Sequence, residues 1–184
     1  MNNSALLLID VQKGFDSPLW GERNNPQAEA NIARLLDAWR KQQAPIIHVQ
    51  HCSVSPKSAL HPDQPGNAFK NEARPKSGEP VFKKTVNSAF IGTGLEDYLH
   101  EQGLRSLVIV GLTTDHCVST STRMAANLGF DVTLISDATA TFERQDTDGN
   151  HISAAEMHRV NLASLNDEFC QIQTTAQILD SLKN

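Results

Sequence analysis

Cys117 lies in the run Val110-Gly-Leu-Thr-Thr-Asp-His-Cys117-Val118. A short β-branched segment over 107–110 ends there at Gly111, and Thr113, Thr114 and Asp115, all good capping residues, precede a helical stretch. A cysteine in the first turn of a helix feels the positive end of the helix dipole and nearby backbone N–H groups, which favour the thiolate over the thiol. The plain alternative is an inert core cysteine, since free cysteine is among the most buried residue types. Two further groups bear on the choice: Asp10 closes the apolar run 5–9, and Lys83 and Lys84 close the run 81–84. Carboxylate, ammonium and thiol are what thiolate acyl transfer needs, namely a group to take and return the proton, a charge to hold the thiolate, and the nucleophile. Successive strand residues point to opposite faces, so only one of the two lysines can reach such a site.

The elements that must position these groups follow from periodicity. Continuous apolar runs mark strands near 5–11, 45–50, 81–84, 107–110, 132–135 and 168–173. An amphipathic stripe of Ala28, Ile32, Leu35, Leu36 and Trp39 marks a helix over 28–43. Thr93-Gly-Leu-Glu96 and Ser153-Ala-Ala-Glu156 read as capping boxes, Gly103 and Gly129 as helix stops, and a last helix starts near Thr175. Alternating strands and helices predict an α/β fold of three layers, α/β/α and Rossmann-like, with a mainly parallel sheet of about six strands. In such sheets ligands bind beyond the carboxyl ends of the strands, where Asp10, the lysine pair and Cys117 all fall.

The chain of 184 residues is about one domain long. The stretch 52–80 holds five prolines and no sustained period, and predicts a long functional loop, either a lid or an oligomer contact. Net charge is −5 with scattered basic residues, which argues against nucleic acid. The apolar opening at 5–9 is too short for a membrane span or signal peptide. Three cysteines without a CxxC pair favour a reducing, cytoplasmic setting.

The chain resembles the isochorismatase-like cysteine hydrolases, which include nicotinamidases and N-carbamoyl amide hydrolases. The resemblance rests on Leu7-Leu-Ile-Asp10-Val-Gln12-Lys-Gly-Phe15, on Lys84-Thr-Val-Asn-Ser-Ala-Phe90 with Gly92-Thr-Gly-Leu95, and on the Cys117 run, with Gly129-Phe130 and Asp137-Ala138 following. It covers about residues 5–140. It implies a triad of Asp10, Lys84 and Cys117, the family motif selecting Lys84 over Lys83. It also implies a non-proline cis peptide at Leu112–Thr113, and an oxyanion hole from the N–H groups of Thr113 and Cys117. Relatives form homo-oligomers, so a dimer or tetramer is implied. The activity it implies is metal-independent hydrolysis of a small amide, carbamoyl or ureido compound, with no cofactor. Isochorismate cleavage itself is disfavoured, because a vinyl ether offers no acyl group for a thiol to capture. The alternatives are a catalytically silent small-molecule binding or assembly protein of the same fold, and a nicotinamidase-type amidase.

Other features are weighed against simpler readings. His48, His51, His61 and Asp63 suggest a metal. Nicotinamidases of the family, however, hold theirs with an Asp-x-His motif, and the matching Val49-Gln50-His51 lacks the aspartate. Gly92-Thr-Gly94 is no dinucleotide loop, since Asp97 replaces the third glycine. Gln12, Phe15, Phe90 and His116 flank the motifs and are candidate substrate contacts, with Trp20 and Phe142 as further pocket candidates. Cys170 reads as core and Cys52 as a partly exposed thiol.

Overall fold

The computed structural model describes residues 4–182. Six parallel strands form one sheet: β1 (Ser4–Ile9), β2 (Ile46–His51), β3 (Val81–Lys84), β4 (Ser106–Leu112), β5 (Asp131–Ala140) and β8 (Gln171–Gln173), in the order β3-β2-β1-β4-β5-β8. A two-stranded ribbon, β6 (Arg144–Gln145) with β7 (His151–Ile152), lies apart from it. The helices are α1 (Ala28–Lys41), α2 (Leu95–Glu101), α3 (Ser119–Asn127), α4 (Ala154–Leu165) and α5 (Thr175–Ser181).

Alternation along β1 feeds two cores. Leu7 and Ile9 join Ile109, Leu95, Leu99, Val118 and Leu165 on the face covered by α2, α3 and α4. Leu6 and Leu8 join Val108, Val110, Ile32, Leu36, Trp39 and Ile178 on the face covered by α1 and α5. A strand covered on both faces has no polar side, which is why β1 and β4 read as unbroken apolar runs. Among the described residues no helix is long and apolar enough to cross a membrane.

Several local expectations are corrected. β5 runs to Ala140, five residues past the predicted end, and the ribbon β6–β7 that follows it was not predicted. The box at Thr93 does not form: α2 starts at a left-handed Gly94, and the Thr93 hydroxyl donates to the Ala89 carbonyl. Ser153 does cap α4, accepting the Glu156 N–H at 3.2 Å. Within 52–80, Leu60, Asn67, Lys70 and Ala73 are buried and tie the stretch to the strand ends. Leu60 packs with Phe15, and the Lys70 N–H donates to the Val11 carbonyl.

Candidate active site

Asp10 is the first residue past β1, fully buried, with a left-handed φ of 51° and its N–H on the Val49 carbonyl. Aspartate tolerates that conformation better than most residues. Next to it, β4 approaches β1 at Gly111: a Cβ there would lie 2.0 Å from the Ile9 carbonyl oxygen, so only glycine fits. β3 is in register with β2 so that Lys84 pairs with His51. That phase turns Lys84 inward, 2 % exposed, and leaves Lys83 in solvent. Lys84 is therefore the lysine of the site.

Cys117 sits in a π-helical turn, Thr114–Val118, inserted before α3. None of Thr113, Thr114 and Asp115 caps the helix through its side chain, contrary to expectation. Thr114 Oγ1 lies 2.9 Å from His158 Nδ1, while the Asp115 carboxylate accepts from the Thr141 hydroxyl at 2.5 Å and from Arg144. The turn is pinned by tertiary partners. The Leu112–Thr113 peptide is cis, and the Thr113 carbonyl accepts the N–H groups of His116 and Val118.

The three groups meet. Lys84 Nζ is 2.6 Å from Asp10 Oδ2 and 3.3 Å from Cys117 Sγ. Asp10 Oδ1 is buried without a hydrogen-bond partner. Burial raises the Asp10 pKa against the pull of the Lys84 ammonium. Burial and then the Asp10 charge push the Cys117 thiol up to about 12, again against Lys84. Desolvation and a neighbouring anion thus act against the thiolate that the helix position was expected to favour. At rest the site holds a neutral thiol beside the Asp10–Lys84 contact.

Of the four candidate substrate contacts, three are occupied otherwise. Gln12 is fully buried and clamps the His51 backbone, accepting its N–H at 2.8 Å and donating to its carbonyl at 3.0 Å. Phe15 stacks with Trp20 and Phe142 in a small core, and Phe90 stacks on Phe130. A short polar amide and aromatic rings beside a motif serve packing here as readily as recognition. His116 is exposed, with Nε2 3.5 Å from Asp115. Two residues that sequence reasoning did not place here are Asn87, whose Oδ1 lies 3.8 Å from Sγ, and Val86, whose carbonyl is 3.1 Å from Lys84 Nζ. Both lie within the Lys84–Phe90 motif, which was the available signal.

The residues weighed as metal donors separate. His48 faces away, its Nε2 2.8 Å from Glu79, and His61 pairs loosely with Asp63 at 3.7 Å. Asp10, His51 and Cys117 do offer donor atoms within 4.8 Å of one another. However, Lys84 Nζ already contacts all three. An ammonium among the donors repels a second cation, so these residues do not fit a metal.

The family model for the isochorismatase domain matches residues 4–177. The isochorismatase family protein YrdC of Bacillus subtilis is 49% identical over 96% of this chain and 94% of its own length. A streptothricin hydrolase of Streptomyces noursei is 33% identical over 76% of this chain and 50% of its own length. An isochorismatase-family crystal structure from Chromobacterium violaceum matches with a TM-score of 0.97 at 48% identity, covering 100% of this chain and 95% of that one. With its parallel sheet and the Asp10, Lys84 and Cys117 cluster at the strand ends, the chain belongs to the isochorismatase family of hydrolases.

Proposed function

We propose that the protein hydrolyses a C–N bond of a small amide, carbamoyl or ureido compound through a Cys117 thioester, without a metal. The observation that carries this reading is the contact of one buried ammonium with both a carboxylate and a thiol, at 2.6 and 3.3 Å. Asp10 is the base. Its buried, unpartnered Oδ1 and raised pKa suit it to take the thiol proton as Sγ attacks the carbonyl carbon. This exchange turns an Asp10–Lys84 pair into a thiolate–Lys84 pair, so no net charge is created in the buried site.

The carbonyl oxygen gains negative charge as the C–S bond forms, and the N–H groups of Thr113 and Cys117 receive it. The C–N bond then breaks, and Asp10 returns its proton to the departing nitrogen. Water, deprotonated by Asp10, adds to the thioester and releases the acid and the Cys117 thiol. The streptothricin hydrolase among the relatives supports hydrolysis as the reaction type.

The test is ammonia or amine release from a panel of small amides, carbamoyl amino acids and ureido acids, with chelator present, wild type beside Cys117→Ala. Release by wild type alone is the expected result. Turnover by the alanine variant would remove Cys117 from the chemistry, and turnover by no form of the protein on any member of the panel would favour the silent binding protein.

A further inference from the structure

Lys84 Nζ has three hydrogens and four acceptors around it: Asp10 Oδ2 at 2.6 Å, Val86 carbonyl at 3.1 Å, His51 Nδ1 at 3.1 Å and Cys117 Sγ at 3.3 Å. Left with Asp10 alone, the ammonium would settle against the carboxylate and away from sulfur, since the opposite charge attracts it most. An uncharged acceptor must hold it between the two. Beside the Val86 carbonyl, His51 supplies that acceptor from a side chain. Its ring comes from β2, opposite Lys84 in the register of the sheet.

The His51 backbone is fixed to an unusual degree. Its N–H donates to Gln12 Oε1, and its carbonyl accepts from both Gln12 Nε2 at 3.0 Å and Asn67 Nδ2 at 2.9 Å. Gln12 and Asn67 are themselves buried, and Gln12 Nε2 also donates to the Asn67 carbonyl at 2.7 Å. Two buried amides spent on one main-chain position locate the side chain that follows from it. Burial and the adjacent ammonium lower the His51 pKa to about 4, so near neutral pH the ring is uncharged and free to accept.

We infer that His51 is a positioning residue: its Nδ1 accepts a hydrogen from the Lys84 ammonium and holds that ammonium within reach of both Asp10 and Cys117. The inference rests on Cys117 being the nucleophile. In this arrangement Lys84 takes the cation's place among the donors, and His51 serves the lysine.

The test reads the thiol and the ring directly, so it does not depend on knowing the substrate. Alkylation of Cys117 by iodoacetamide is followed by peptide mass spectrometry at about pH 9, near the ordinary thiol range. His51→Leu is expected to slow it by roughly tenfold or more, the equivalent of one charge-assisted hydrogen bond. His51→Asn, which keeps an acceptor at the Nδ1 position, is expected to stay within about threefold of wild type. Thermal melting confirms that both variants fold. Wild-type rates in His51→Leu, or an equal deficit in both variants, would overturn the inference. Independently, 15N NMR of the wild-type ring near pH 7 should show an unprotonated Nδ1, and a protonated Nδ1 would overturn it whatever the alkylation rates. Where a substrate is in hand, His51→Leu should lower kcat with little change in KM. Loss confined to KM would instead make His51 a substrate contact.

Discussion

Two buried lysines, Lys84 and Lys70, are surrounded very differently. Lys70 Nζ bonds Asp16 at 2.5 Å and Glu29 at 2.7 Å, and Glu29 is also held by Arg23 through two bonds of 2.7 Å. Two cations face two anions, and despite burial the Glu29 pKa is lowered to about 2, by Arg23 and then Lys70. Lys84 faces one carboxylate and three uncharged acceptors, and its carboxylate keeps a bare oxygen and a raised pKa. The first cluster pairs each of its carboxylates with a cation and holds the fold. The second is deliberately short of partners, and the missing bond is where a proton can go.

The sharpest way to break this contrast is to neutralise each carboxylate. Asp10→Asn should cut turnover by about 10²–10⁴-fold, the usual range for a general acid–base, whereas Glu29→Gln should leave it within about threefold. In the same Asp10→Asn protein, the alkylation profile of Cys117 should move to lower pH, because one of the two causes that raise the thiol has gone. An unmoved profile would mean that burial alone sets it.

Removing the cations comes next. Lys84→Met leaves the Asp10 carboxyl at 0 % exposure without its counter-ion, which should cost about 3–5 kcal/mol in urea unfolding. Lys70→Met leaves Glu29 still paired with Arg23 and Asp16 free to meet water, so about 1–2 kcal/mol is expected. Equal costs would erase the distinction.

Acid separates the clusters by sign. Glu29 and Glu79 titrate near 2 folded against a usual 4.5, so the stability they contribute is present above about 4.5 and lost as pH falls towards 2. Asp10 is raised, so its ionisation opposes folding as pH rises through its shifted value, and protonating it at low pH costs nothing. Urea midpoints between pH 7 and 2.5 should therefore fall with acid, and Glu79→Gln should flatten part of that fall while Asp10→Asn should not. The smallest effect is assigned to His116→Ala, within about threefold in turnover, since its half-exposed ring meets only the rim of Asp115.

Much of this was legible in the chain. Asp10, Lys84 and Cys117 each end a strand or open the turn after one, and such positions show in local hydrophobic pattern. Choosing Lys84 over Lys83 needed the motif, and the register of β3 with β2 supplies the physical reason. The His51 to Lys84 contact was hidden because it depends on two strands 33 residues apart meeting in one register. Thr93 deceived for a similar reason: its hydroxyl donates to the Ala89 carbonyl and accepts the Leu95 N–H at 3.2 Å, without the reciprocal bond to Glu96 that a box needs. The thiol pKa was misjudged because dipoles can be read along a chain, whereas desolvation and a facing carboxylate belong to the assembled fold.

β3 is an edge strand of four residues, joined to the sheet through β2 alone. Short edge segments open by local fluctuations that cost far less than global unfolding. The lysine that completes the cluster thus rides on the least anchored strand near it, while Asp10 and Cys117 follow central ones. On warming, amide hydrogen exchange should reach β3 before β1 or β4, and the enzyme should fall silent while most of its sheet is still intact.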